Sequence, residues 1–343
     1  MTSQQRRLTD RKSAGPQAGL TLVELMITLT IGLIIIGALG MLFIGSSSTR
    51  REVESTAETI ENGRYAIDLL SRELSLAGYY GTLTRPAGGS STGIPCSTSP
   101  ADWTGSLELH TFGWNQDAGN PACLNDRKAG TDAIFIQRAS TCEVGVDVGC
   151  EGERADRAYL QVSECGETYN DNPLQLGRGR GADGAAGDGG SDDDEATTPA
   201  FDLKTSTCDS DVAPLRRFIR GVYFVNSNDV LTYREIGPAG STSVALVEDI
   251  EQLQFSYAID TDGDGSPDEF TSKPATTARW TNVIGVRVWV LSRSPTESDR
   301  PEGTPSFQFD DMPANAVDLT KAYRRRASTT YISFVSPTLR RAK

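Results

Sequence analysis

The stretch Gly19 to Gly45 is almost wholly apolar and carries one charge, Glu24. A helix crosses a bilayer with about 20 such residues, so this run constrains the chain more than any other feature. It follows a leader containing Arg6, Arg7, Arg11 and Lys12. Basic flanks stay cytoplasmic, which places everything after Gly45 on the far side of the membrane. A carboxylate within a span costs about 2.5–3.5 kcal/mol on insertion scales, so Glu24 reads as a functional residue.

Gly19-Leu20-Thr21-Leu22-Val23-Glu24-Leu25 resembles the processing site of type IV prepilins and pseudopilins. The resemblance implies a leader over 1–19 removed by a prepilin peptidase that cuts after Gly19. It implies Leu20 as the N-methylated mature N-terminus, and Glu24 as a residue of processing and subunit registration. Leu20 stands where phenylalanine is commoner. The alternative for such a segment is an uncleaved signal anchor. Electrostatics agrees with the resemblance. A freed α-amino group has a reference pKa of about 8 and is cationic near neutrality. A neighbouring copy's Glu24 at about 4 Å would attract it by about 4 kcal/mol at an effective dielectric of 20. An unpaired buried carboxylate is penalised, so such a pair would reward one axial register.

The 343 residues leave roughly 300 beyond the leader and span, enough for one large or two modest domains. A formal net charge of −13 argues against binding nucleic acid. The six cysteines, Cys96, Cys123, Cys142, Cys150, Cys165 and Cys208, all lie in the exported part. An even number there implies up to three disulfides, whose pairing the sequence leaves open. None shows zinc-ligand spacing.

Residues 20–45 read as the membrane half of a helix and 46–78 as its amphipathic half, stopped near Gly78. Val53, Ala57, Ile60, Ala66, Ile67, Leu70, Leu74 and Ala77 recur near helical spacing, opposite a charged face. Gly32, Gly37, Gly40 and Gly45 would permit close helix approach. The wording from Glu61 to Leu74, followed by Ala77-Gly78-Tyr79-Tyr80-Gly81, resembles the PilW family of minor pilins. J-type pseudopilins of type II secretion are similar here.

Residues 79–176 read as a largely irregular, cysteine-containing region, with strand candidates near Leu109, over 131–138 and over 159–162. Residues 177–199 are glycine-rich and acidic and read as a disordered insertion. Residues 200–343 read as β-rich, with strands over 215–225, 230–234, 244–260, 283–293 and 329–335. Val247 to Tyr257, Trp280 to Val288, and Tyr323-Arg324-Arg325-Arg326 with Thr329-Thr330 also resemble PilW proteins. The expected fold is α+β and pilin-like: a long N-terminal helix packed on an antiparallel sheet, with disulfide-stapled loops.

Asp260-Thr261-Asp262-Gly263-Asp264-Gly265-Ser266-Pro267-Asp268-Glu269 resembles a calcium loop of the EF-hand kind. Asp260, Asp262, Asp264, the Ser266 carbonyl, and Asp268 or Glu269 are its candidate ligands. Thr271 stands at the twelfth position in place of the bidentate glutamate, and strands flank the loop. The single histidine, His110, has no nucleophile motif beside it, so no catalysis is expected.

The resemblance implies a minor pilin held in the inner membrane by one span, its N-terminus cytoplasmic and its head periplasmic, then incorporated into an extracellular pilus. Its implied partners are other minor pilins, the major pilin, the inner-membrane assembly platform and lipid. Its implied role is to prime assembly and support adhesion or twitching motility. The alternatives are a J-type minor pseudopilin and a membrane-anchored calcium-dependent adhesin.

Overall fold

The computed structural model describes residues 19, 21–83, 86, 95–146, 149–163, 165, 174–180, 199–298, 307, 309, 312 and 317–341. The leader, Leu20 and most of the acidic insertion, residues 181–198, lie outside them.

Helix α1 runs Leu22–Ser75 and is the expected long helix. The chain divides into two compact units within it, Met1–Glu54 and Ser55–Lys343. In the first unit the helix carries no charge on any face from Leu25 to Gly45, and turns polar from Ser46 to Glu54. Leu33 and Ile36 are each 68% exposed, and a side chain added at Gly32, Gly37, Gly40 or Gly45 would meet nothing within 4 Å.

In the second unit α1 buries Thr59, Gly63, Ala66, Leu70 and Leu74, a stripe at helical spacing. This corrects the sequence reading at Val53, Ala57 and Ile60, which are all exposed, Ile60 at 50%. The helix meets the sheet through small residues. Ser292 Oγ donates to the Thr59 carbonyl at 2.7 Å. A Cβ on Gly63 would stand 2.8 Å from Ser292 Oγ and 3.2 Å from Ser328 Oγ. An isoleucine does not fit such an approach, so the apolar periodicity turns aside there.

The rest of the second unit comprises α2 (Pro100–Thr104), β1 (Thr111–Trp114), β2 (Ala133–Ala139), β3 (Ala158–Val162), β4 (Leu174–Arg178), β5 (Leu215–Val225), β6 (Leu231–Gly237), β7 (Gly240–Val247), β8 (Ile250–Ile259), β9 (Glu269–Thr271), α3 (Thr277–Thr281), β10 (Val283–Arg293), β11 (Arg325–Ser333) and α4 (Val335–Arg341). A seven-stranded sheet has the order β1-β2-β5-β3-β4, with β6 on β5 and β7 on β6; a four-stranded sheet has the order β11-β10-β8-β9. All pairings are antiparallel.

Two expectations change. The single strand expected over 244–260 is two, β7 and β8, in different sheets. The chain turns between them at Asp249, whose φ is +58°. The sequence does carry a sign of the switch: the apolar phase passes from Val244 and Leu246 to Leu253, Phe255, Tyr257 and Ile259, and the adjacent acids Glu248 and Asp249 interrupt it. The span 79–176, expected to be largely irregular, supplies β1 to β3 and most of β4, whose last residues Gly177 and Arg178 fall in the stretch read as a disordered insertion and are held there by pairing with β3. β2 and β3 are buried along their whole length and show little alternation. Strand β5 pairs with both β2 and β3, so sequence on either side of 177–199 builds one sheet.

Asp132 splices the two sheets. Its amide donates to the Leu253 carbonyl at 2.9 Å, and its Oδ2 accepts from the Phe255 amide at 2.9 Å. Leu70, Leu74, Ile134, Tyr223, Leu253 and Val288 belong to the common core. Arg325, at the start of β11, forms a bidentate buried pair with Glu251 on β8, at 2.5 and 3.1 Å. This pair joins two of the stretches whose wording resembles PilW.

Disulfides Cys96–Cys123, Cys142–Cys150 and Cys165–Cys208 use all six cysteines. They close separations of 27, 8 and 43 residues around the loops of the seven-stranded sheet.

Candidate functional site

At the head of α1, the Glu24 amide donates to Thr21 Oγ1 at 3.2 Å. Glu24 Oε2 accepts from the Thr21 amide and hydroxyl, both at 3.3 Å. This is a capping box: the side chain of the residue before the helix and the glutamate three positions on satisfy each other's orphan amides. The Thr-x-x-Glu spacing is legible in Thr21-Leu22-Val23-Glu24, although the charge of Glu24 draws attention first. The box starts the helix at Leu22, two residues after the Gly19–Leu20 bond, and its anion favours the positive end of the helix dipole. Gly19 is exposed, with open space around it. The apolar helix that follows is long and apolar enough to cross a membrane, and its most apolar window is unburied.

The Asp-rich loop joins β8 to β9. Gly263 and Gly265 have φ of +83° and +84°, a region other residues rarely enter, and this lets the loop turn back on itself. Asp260 is fully buried; its two oxygens accept from the Gly263 amide at 2.6 Å and the Gly265 amide at 3.0 Å. The Thr261 hydroxyl and amide both donate to Asp268 Oδ2 at 2.6 Å, which holds that carboxyl below the usual carboxylate range.

Carboxylate oxygens of Asp260, Asp262 and Asp268 lie within 4.8 Å of one another. Asp264 and Glu269 are not in this cluster. Asp264 accepts instead from the Ser266 amide, and Glu269 pairs with Arg279. Arg341 Nη1 lies 3.7 Å from Asp260 Oδ2 and supplies part of the positive charge a cation would bring.

His110 is buried, with Nδ1 3.1 Å from the Glu108 carbonyl and Nε2 2.7 Å from the Val283 carbonyl. Burial, then the Arg340 guanidinium, pushes its pKa down to about 4, against the two carbonyls, which favour the protonated ring. Its ring packs edge-on against Phe334, so it braces β1 against the end of β11.

Residues 15–40 match the family model of the prokaryotic N-terminal methylation motif, and residues 222–335 match that of Type IV Pilus-assembly protein W. With the capped apolar helix and the disulfide-held β head, these matches define the class this chain is similar to: over the two matched spans it resembles type IV pilus-related pilins. Within that class it is similar to PilW over β6 to β11, the span that contains the Glu251–Arg325 pair. The PilW-like wording over 61–81 lies outside both matched spans. A solved type IV-like pilin from Thermus thermophilus is similar at 10% identity and a TM-score of 0.32, covering 84% of this chain and 98% of that one. No curated protein matches.

Proposed function

We propose that this chain is a minor pilin, trimmed after Gly19, methylated at Leu20 and packed into a type IV pilus through the first half of α1. Other minor pilins and the major pilin are its partners, and its part is structural rather than catalytic. One observation carries the reading: the only charge between Gly19 and Gly45 is Glu24, whose carboxylate, among the described residues, accepts only from Thr21 of its own capping box. A neighbouring subunit's new amine offers it an opposite charge, worth about 4 kcal/mol at 4 Å and an effective dielectric of 20. In lipid, association gains little from burying apolar surface, so packing and that pair supply the drive. Priming of assembly, adhesion and twitching are roles such a subunit would serve. A mass spectrum of the mature N-terminus from native membranes tests the reading. N-methyl-Leu20 is expected, and a chain still beginning at Met1 would overturn it. Glu24→Ala is expected to abolish incorporation into pili while leaving the head folded.

The clustering of Asp260, Asp262 and Asp268 favours one further element, a weak calcium site in the head. Calcium takes six to eight oxygens, so loop carbonyls and water would complete the set. Calorimetry with calcium tests it: heat that Asp262→Asn removes is expected, and silence at millimolar calcium retires the site.

A further inference from the structure

Arg220, in the middle of β5, is 1% exposed and pairs with no carboxylate among the described residues. A buried cation without an acid is costly, so its other contacts must compensate. Burial pushes its pKa down to about 9, and it stays cationic near neutrality. The guanidinium lies over the ring of Trp103 at 4.6 Å and that of Phe135 at 5.2 Å. Its Nη1 donates to the Ser97 carbonyl at 2.7 Å, and its Nε to Gln137 Oε1 at 3.2 Å. The Trp103 indole donates to the same Ser97 carbonyl at 3.0 Å. Ser97 directly follows Cys96.

A second arginine holds the other half of that bridge. Arg234 of β6 lies over the Phe224 ring at 5.2 Å, and its Nη1 donates to the Cys123 carbonyl at 2.5 Å. Its Nη2 pairs with Asp126 at 2.9 Å. Val222 stands opposite Arg234 in the β5–β6 ladder, and Phe135 stands opposite Val222 in the β2–β5 ladder. Residues directly opposite, and residues two apart on a strand, share a face. Both guanidiniums therefore rise from one face of the seven-stranded sheet, where Leu124 is buried with Phe135, Val222 and Phe224. The sheet grips the chain at both cysteines through contacts that do not need the sulfur–sulfur bond.

We propose that Arg220 and Arg234 select the pairing of Cys96 with Cys123, by holding both cysteines over the sheet before they are joined. Loop length alone favours another outcome. Cys142 lies nearer to Cys123 along the chain than Cys96 does, and a shorter loop closes at a smaller entropic cost. Cys142 and Cys150, separated by 8 residues, can meet without such help. Hydrogen bonds from a charged donor to a carbonyl are the stronger kind, so two arginines can outweigh that difference in loop closure. In the joining step one cysteine thiolate attacks a disulfide oxidant and releases one thiol. The other cysteine thiolate then attacks the mixed disulfide and releases the second. The two cysteines give up two electrons and two protons, which reduce the oxidant to two thiols. The arginines take no part in that exchange; they fix which cysteine stands beside the mixed disulfide. The proposal rests on the head and not on the pilus reading.

The test reduces and unfolds the full chain, dilutes it into detergent with oxidised glutathione, and alkylates samples at early times for peptide mapping. The wild type is expected to show Cys96 as the main partner of Cys123. Arg220→Met keeps an apolar stem and removes the donors. It is expected to lower the Cys96–Cys123 bond about ten-fold and raise Cys123–Cys142, while Cys165–Cys208 keeps its yield. If Arg220→Met lowers Cys165–Cys208 as well, through poor folding, Arg220→Lys and Arg234→Met are read in its place. The double variant Cys96→Ser, Cys123→Ser is expected to keep wild-type protection from hydrogen exchange over residues 97–104. Wild-type pairing in the arginine variants, an equal fall of both bonds in every one of them, or protection lost with the two cysteines would each overturn the proposal.

Discussion

The two halves of α1 make opposite use of the same secondary structure. From Leu25 to Gly45 the helix carries no charge on any side, and its glycines face open space. After Ser55 it is amphipathic, and Gly63 is pressed against Ser292 and Ser328. Glycine in the first half leaves room for a neighbour not yet present. Glycine in the second half fills a contact already made. A helix apolar all round is stable only in lipid or among other helices, whereas a striped helix is completed by its own head. Under the proposed reading one element would serve polymer and monomer in sequence.

The sharpest break of this comparison is paired truncation. Leu70→Ala removes a fully buried side chain and is expected to cost the head about 2–5 kcal/mol in denaturant unfolding. Leu33→Ala in the first half is expected to leave that unfolding unchanged. Equal effects would show that the halves do not divide the work.

Acid should weaken the head alone. His110 has a folded-state pKa of about 4 against an ordinary 6.5, so the unfolded chain takes up its proton first. Its contribution is intact above about pH 6.5 and is lost as the pH falls toward 4, on the order of 3 kcal/mol. Melting of the wild type and His110→Gln across that window checks it, and the variant is expected to show the shallower slope.

Enlarging glycine sharpens the contrast further. Gly63→Leu is expected to destabilise the head by about 1–3 kcal/mol through overpacking. Gly37→Leu should leave head melting unchanged and lower pilus incorporation. The smallest effect belongs to the Asp-rich loop. Calcium at ten times its dissociation constant should stabilise the head by about 1.4 kcal/mol, read as a rise in melting temperature that Asp260→Asn abolishes.

Much of this molecule was legible in local chemistry. The apolar run, the Glu24 motif and the strands over 215–225 and 283–293 follow from composition, spacing and alternation. The capping box was legible too, in Thr21 and Glu24, as a rule about helix starts. Ile60 misled because periodicity assumes that apolar means inside. Thr59 and Gly63 took the buried places since the sheet approaches too closely for anything larger. The break between β7 and β8 was legible in the paired acids Glu248 and Asp249 and the phase slip after them, and a strand read straight over 244–260 passes across both.

The sequence by itself determined the apolar run, its single acid, the helix start and an even set of cysteines. Each depends on residues close together in the chain, where covalent spacing fixes geometry. The tertiary structure alone decided which cysteines meet, which three of the loop's acids converge, that Asp132 splices two sheets and that Glu251 finds Arg325. Cys96–Cys123, Cys165–Cys208, Asp132 and Glu251–Arg325 unite residues far apart in sequence, which only the packing of the core brings together, while Cys142–Cys150 and the loop's acids depend on how a short loop turns.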